Sequence, residues 1–106
     1  MNPECILTFS LTVTPQTPSL SASPSEANIM AGRPVTLTCT TESNGDNMRY
    51  KFLKDSTLVA TELTSSYLIS RPTSADTGAY TCVVKINGVD SAASGSHSMT
   101  VMTVVN

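Results

Sequence analysis

The stretch SADTGAYTC, residues 74–82, constrains the fold more than any other part of this sequence. Tyr80 and Cys82 are two residues apart, which is the spacing that places side chains on one face of a β-strand. Gly78 precedes them and suits a turn, because glycine tolerates backbone angles that other residues avoid. Asp76 is expected on that turn, where a short carboxylate accepts backbone N–H groups. The stretch therefore predicts a tight corner that leads into a strand with one buried face.

A second cysteine, Cys39, lies in the alternating stretch VTLTCT. The sequence has no C-x-x-C motif that would favour metal or thiol-exchange chemistry, so we predict a disulfide between Cys39 and Cys82. Closing a loop of this size stabilises a fold by roughly 4 kcal/mol. A structural disulfide indicates an oxidising compartment, and hence an extracellular protein, either on the cell surface or secreted. The third cysteine, Cys5, is left as an unpaired thiol or as one whose partner lies outside this sequence.

Strand patterns recur along the chain with turn residues between them, and helical periodicity is absent. About seven short strands at such spacing predict a two-sheet antiparallel sandwich. Asn87-Gly88 is the favoured pair for a two-residue hairpin, so the last strand is expected to return beside the strand that carries Cys82.

Composition and charge exclude several classes of function. The 106 residues suffice for one compact domain, and the net charge of −2 gives no electrostatic basis for nucleic-acid binding. No apolar run is long enough for this domain to contact or cross a membrane. His97, the only histidine, is interpreted as a solvated strand residue, and Asp46 is a lone carboxylate where calcium needs several oxygen ligands. We therefore expect no enzyme activity, no catalytic residue, no metal site and no cofactor.

Three features together resemble the immunoglobulin superfamily over about residues 18–105: VTLTC, an aromatic strand after it, and DTGAYTC. The resemblance implies an all-β, immunoglobulin-like two-sheet antiparallel Greek-key sandwich of the C2 or I set, because the cysteine spacing leaves no room for the extra middle strands of the variable set. It implies that Tyr80 is the tyrosine-corner residue, whose hydroxyl bonds to nearby backbone. It also implies that Asp76 pairs with a basic residue, and the candidates are Arg33, Lys54 and Arg71.

The chain lacks the tryptophan that the family usually packs against the disulfide. Alignment with the family's strand C places Phe52 there, with Tyr50 as the alternative, and both lie on the same face of that strand. The stretch YKFLKD resembles Fc-receptor-like and related leukocyte receptor domains.

Residues 18–106 are predicted to form the immunoglobulin-like domain. Within residues 1–17, SLTVT resembles SMTVM in the last strand, and prolines follow it. We interpret residues 1–17 as the terminal strand of a preceding domain plus a linker. The alternative is an extended N-terminal strand of this domain.

The resemblance favours a non-catalytic extracellular module of a cell-surface receptor or adhesion protein of the immune system. Alternation places Arg49 and Lys51 outward on strand C (MRYKFLK) and Lys85 outward on the neighbouring strand F (AYTCVVKI). We expect a ligand contact on the face of strands C, F and G and on the adjacent loops ESNGDN and KINGVD. The expected partner is a protein, including a second copy of the chain, or an acidic glycan. The alternative function is a structural spacer with no ligand of its own.

Overall fold

The computed structural model describes residues 14–103, so Cys5 and most of the predicted N-terminal segment lie outside the described residues. Within the described part, the regular structure is β apart from one 3-10 turn, Ser74–Asp76. The strands are β1 Ser19–Ser23, β2 Asn28–Met30, β3 Val35–Thr40, β4 Met48–Lys54, β5 Thr57–Glu62, β6 Ser66–Ile69, β7 Gly78–Ile86, β8 Val89–Asp90 and β9 His97–Met102.

The strands form two sheets, which confirms the predicted sandwich. One sheet has the order β1-β3-β6, and the other has the order β2-β9-β7-β4-β5 with β8 beside β7. One detail differs from the expectation. The short strand β2 runs parallel to β9, so the second sheet is mixed rather than wholly antiparallel. A single middle strand, β5, pairs with β4 at the edge of this sheet, and no second middle strand follows it in the described residues, in agreement with the C2 or I set.

The core lies between the two sheets, where the inward side chains of alternating strands meet. Cys39 and Cys82 are disulfide-bonded with their Cα atoms 6.1 Å apart, as predicted, and both are fully buried. Phe52 is also fully buried, and its ring centroid lies 5.4 Å from that of Tyr67 on the opposite sheet. Tyr50 is half-buried and packs against the same cluster. The stacked pair of rings thus spans the core of a chain that has no tryptophan.

The corner before β7 has the predicted hydrogen bonds but not the predicted ion pair. The Asp76 carboxylate accepts the Thr73 N–H at 2.8 Å, and the Tyr80 hydroxyl donates to the Asp76 carbonyl. Within residues 14–103, Asp76 makes no ion pair with Arg33, Lys54 or Arg71. The Lys54 ammonium instead donates to a backbone carbonyl in the 3-10 turn. The expectation of a basic partner was therefore wrong, because the carboxylate caps the turn itself.

Gly78 is required for close packing and not for its backbone angles. Its φ is not positive, in contrast to those of Gly32 and Gly88, so the expectation drawn from its conformational freedom was wrong. A Cβ atom on Gly78 would lie 2.8 Å from Oδ2 of Asp55 and 2.8 Å from Cγ of Lys54. Asp55 is held there by two hydrogen bonds to Ala79: its N–H donates to the Ala79 carbonyl, and its Oδ1 accepts the Ala79 N–H. The β4–β5 turn therefore packs so closely on the start of β7 that a side chain at position 78 would displace Asp55 or Lys54.

The stretch between β8 and β9 is hydrogen-bonded to β7 through two serine residues. The hydroxyls of Ser91 and Ser94 are buried and accept the N–H groups of Val84 and Cys82. The backbone N–H groups of the same two serines donate back to the Val84 and Cys82 carbonyls. His97 follows, and its Nε2 is buried without a hydrogen-bond partner in the described part of the chain. His97 lies on β9 and is half-buried, so its ring is only partly solvated.

Candidate binding face

The outer face of the larger sheet gathers the basic residues that sequence alternation placed there. Strands β4 and β7 are antiparallel neighbours, and Arg49 lies directly opposite Lys85 in their register. Arg49 is exposed and Lys85 is half-buried. Arg49 donates to the Met48 carbonyl, which leaves the rest of its guanidinium directed to solvent. The two cations form one positively charged region of this face, at the end where β4 begins and β7 ends.

The third predicted cation, Lys51, has a partner that sequence reasoning missed. Its Nζ lies 3.0 Å from Oδ2 of Asp90, which is on β8 at the other side of β7. Asp90 pairs in register with Lys85, so the carboxylate lies beside the basic region. The charge of Lys51 is thereby largely compensated. The alternation of strand C indicated where Lys51 points, but no sequence signal indicated that a two-residue strand would carry Asp90 beside it.

An apolar region adjoins the basic one on the same face. Leu53 of β4 pairs with Leu58 of β5, and Leu58 is 53% exposed. Val83, opposite Lys51, is the diagonal neighbour of Leu53 and is half-buried. We call the set Arg49, Lys51, Leu53, Leu58, Val83 and Lys85 the outer face. Leu58 was missed because a register shift between Phe52 and Leu53 alters the alternation of β5.

Two loops at the end of the sheet are tied to each other. Asn47 donates from its side-chain amide to the side-chain oxygen of Asn87 at 3.3 Å, and the Asn87 N–H donates to the Asp46 carbonyl. Gly45 lies directly against Ile86, since a Cβ atom there would be 2.3 Å from a methyl carbon of Ile86. The loop before β4 and the β7–β8 hairpin thus form one packed unit rather than two separate loops.

The described residues offer no cluster of side chains suited to a metal ion. Residues 14–103 contain no group of three or more histidine, cysteine or acidic side chains that could hold a metal ion. Burial, with the nearby Asp76 carboxylate as the second cause, raises the pKa of Tyr80 to about 12. Burial also raises the pKa of Tyr67 above its usual value. Both phenols are therefore protonated at neutral pH. In the described part of the chain, no helix is long and apolar enough to span a membrane.

Comparison with known proteins agrees with this architecture. A family model described as immunoglobulin domain matches residues 17–104. The second Ig-C2 domain of human Fc-receptor like A, isoform 9, is 30% identical with a TM-score of 0.67, and the match covers 81% of this chain and 96% of that one. Murine CEACAM1b has a TM-score of 0.70 at 18% identity, covering 86% of this chain and 47% of that one, and so supports the fold alone. No curated protein sequence matches.

Proposed function

We propose, from the premise that the chain belongs to the immunoglobulin domain family, that it is a non-catalytic extracellular module of a cell-surface receptor or adhesion protein. It binds a protein ligand through the outer face. The Ig-C2 domain of human Fc-receptor like A, a receptor-like protein by its name, supports the receptor class. The Cys39–Cys82 disulfide supports the extracellular location, because such bonds persist in oxidising compartments.

The observation that carries this proposal is the presence of an apolar region and a basic region on one face of the larger sheet. Protein interfaces combine a desolvated apolar centre with a polar rim that is open to solvent. Leu58, Leu53 and Val83 supply the centre, and Arg49 and Lys85 supply the rim. A single exposed leucine has no significance. Leu58, however, pairs with Leu53, and Val83 lies diagonal to Leu53 and two residues from Lys85 on the same face. Apolar and basic side chains therefore share one surface, which has the composition of a contact surface.

The ligand class follows from the same residues. The rim carries two cations, and Asp90, which lies opposite Lys85 in the register, is already engaged by Lys51. Complementary charge steers association, so the partner presents acidic groups around an apolar side chain. This composition describes a protein surface better than a glycan, which would leave Leu53 and Leu58 without an apolar partner.

A screen of the multimerised domain against cell-surface proteins, with the domain itself included, tests this proposal. The unchanged domain is compared with a Leu58→Ser variant, and a Leu68→Ser variant is the matched control. Leu68 is 57% exposed, but it lies on the smaller sheet. We expect a binder that Leu58→Ser loses and Leu68→Ser retains. Absence of any binder, or equal loss in both variants, would support the spacer function instead.

A further inference from the structure

The stretch that leads into β1 and includes it is rich in hydroxyl residues and proline and carries no charge. It reads TPQTPSLSASPS, residues 14–25, with six hydroxyl side chains and three prolines. Serine- and threonine-rich sequence with proline is the composition of segments that carry O-linked glycans. The sequence has no N-x-S/T motif, so an N-linked glycan has no acceptor in it. The proposed function does not use this stretch.

Thr17 lies in the part of the stretch that is outside the sheets. Residues 14–18 have no regular structure, and β1 begins at Ser19. The Thr17 side chain is exposed, whereas Pro15 and Pro18 on either side of it are buried. The segment therefore rests on the domain through its prolines and leaves the Thr17 side chain open to solvent.

Pro18 keeps the backbone of Thr17 extended, because a residue that precedes proline is sterically restricted to the β and polyproline regions. An enzyme that binds its acceptor segment in extended form therefore does not bear the entropy cost of straightening it. The segment is held on the domain by the Gln16 N–H, which donates to the Ser43 hydroxyl at 2.8 Å. The strand β1, by contrast, is paired with β3 along all five of its residues. Residues 14–18 can thus lift from the domain at much lower cost than β1 can.

The other hydroxyl residues that directly precede a proline are less suited to this role. Ser23 is exposed, but its backbone belongs to the ladder between β1 and β3. Thr14 lines a groove beside the β7–β8 hairpin, where the neighbouring loops restrict the approach of an enzyme. Thr17 alone of the three combines an exposed side chain with a backbone that lies outside both the ladder and the groove.

We propose that Thr17 is the acceptor of an O-linked glycan whose first sugar is N-acetylgalactosamine, transferred from its uridine diphosphate conjugate. The Thr17 Oγ forms a bond to the anomeric carbon of the sugar, and the hydroxyl proton is released. The bond from that carbon to the diphosphate oxygen breaks, and uridine diphosphate leaves with the bonding electron pair. The inference rests on the extracellular location in the proposed function, because this transfer takes place in the secretory pathway.

Mass spectrometry of the full chain, secreted from animal cells behind an added signal peptide, tests the inference. Thr17→Val keeps the branched shape of the side chain and removes the hydroxyl, and Ser23→Ala is the matched control. We expect an N-acetylhexosamine on Thr17 of the unchanged chain and of Ser23→Ala, located by fragmentation of the peptide, and none on the Thr17→Val chain at that position. An unmodified Thr17 in the secreted chain, or a sugar on Ser23 in its place, would overturn the proposal.

Transfer by a purified enzyme gives a second readout. The folded, disulfide-bonded chain without glycan is incubated with a polypeptide N-acetylgalactosaminyltransferase and the uridine diphosphate sugar, and a synthetic peptide of residues 14–25 is the positive control. We expect transfer to Thr17 in both. Transfer to the peptide and not to the folded chain would show that the domain withholds Thr17, and would contradict the proposal.

The result is separable from that of the cell-surface screen, because Thr17 is not part of the outer face. An unmodified Thr17 together with a binder that Leu58→Ser loses would refute the glycan site alone. A glycan on Thr17 together with no binder would refute the ligand contact alone.

Discussion

Lys51 and Asp90 form an ion pair across β7, with Nζ 3.0 Å from Oδ2. The lysine lies on β4 and the aspartate on β8, so the pair passes over the outward side of the strand between them. Within residues 14–103, Arg49 and Lys85 are the cations of the outer face that make no ion pair. An exposed pair of this kind contributes only about 0–1 kcal/mol to stability, so its main effect is on the charge pattern that a partner meets.

Phe52 is predicted to be essential to stability. It is fully buried against the disulfide and stacked on Tyr67. Phe52→Ala leaves a cavity and should cost about 3–5 kcal/mol, which corresponds to a decrease of about 12 °C or more in melting temperature. Arg49→Ala is the control from the same strand and should change the melting temperature little. Equally small decreases in melting temperature for both variants would show that Phe52 is not a central residue of the core.

Gly78→Ala is predicted to destabilise the domain, although alanine normally favours folding over glycine. The new Cβ meets the Asp55 carboxylate and the Lys54 side chain, and displacement of Asp55 breaks its hydrogen bond to the Ala79 N–H. We expect a loss of about 1–3 kcal/mol in chemical denaturation. Gly95→Ala is the matched control, since nothing lies within 4 Å of its added Cβ. A loss of the same size in both variants would argue against the close packing at Gly78.

Tyr80 is predicted to make stability depend on pH in alkaline solution. Its pKa rises from 10.0 to about 12 in the folded protein, chiefly because of burial. The folded state therefore holds the phenolic proton more tightly than the unfolded state does. The contribution is fully present below pH 10 and is lost as pH rises toward about 12. Over that window the free energy of unfolding should fall by up to about 1.4 kcal/mol per pH unit.

Phenolate absorbance after a rapid pH jump measures this shift. The unchanged protein should show a last ionisation step near pH 12, and Tyr80→Phe should lack that step. Persistence of the step in the variant would assign the raised pKa to another tyrosine.

The residues before Thr17 are predicted to be dispensable for folding of the domain. A chain that starts at Thr17 should fold cooperatively and keep the Cys39–Cys82 disulfide. It loses the buried Pro15 and the hydrogen bond from Gln16 to Ser43, so we expect a decrease of no more than about 3 kcal/mol in the free energy of unfolding. Loss of cooperative unfolding would show that the preceding segment is an integral strand of this domain.

The core could be predicted from the sequence because it depends on alternation within single strands. Tyr80 and Cys82 are two residues apart, and Phe52 shares the inward parity of β4, so each could be placed without knowledge of its neighbours. The partner of Lys51 could not be predicted in this way. Asp90 lies near Lys51 only because of the register of β4, β7 and β8. The strand β8 has two residues and is too short to show an alternating pattern.

Two further features could not be predicted for similar reasons. Nothing in the residues of β5 distinguishes pairing with β4 from pairing with β3, so its place beside β4 could not be read from its sequence. The burial of Ser91 and Ser94 could not be predicted either, although their hydroxyls accept the N–H groups of Val84 and Cys82 along β7. Their small polar side chains are typical of an exposed loop, and the sequence contains no sign that they are buried.

The most direct test of the binding face measures the association rate with the protein recovered in the cell-surface screen. The variant Arg49→Glu, Lys85→Glu is compared with Arg33→Glu, Arg71→Glu, which reverses two exposed charges outside the outer face. Because complementary charge mainly raises the association rate, we predict about a tenfold decrease for the first variant at low salt and a smaller decrease at raised salt. Its free energy of unfolding should change by no more than about 0.5 kcal/mol. Equal association rates for both variants at both salt concentrations would contradict a ligand contact on the outer face.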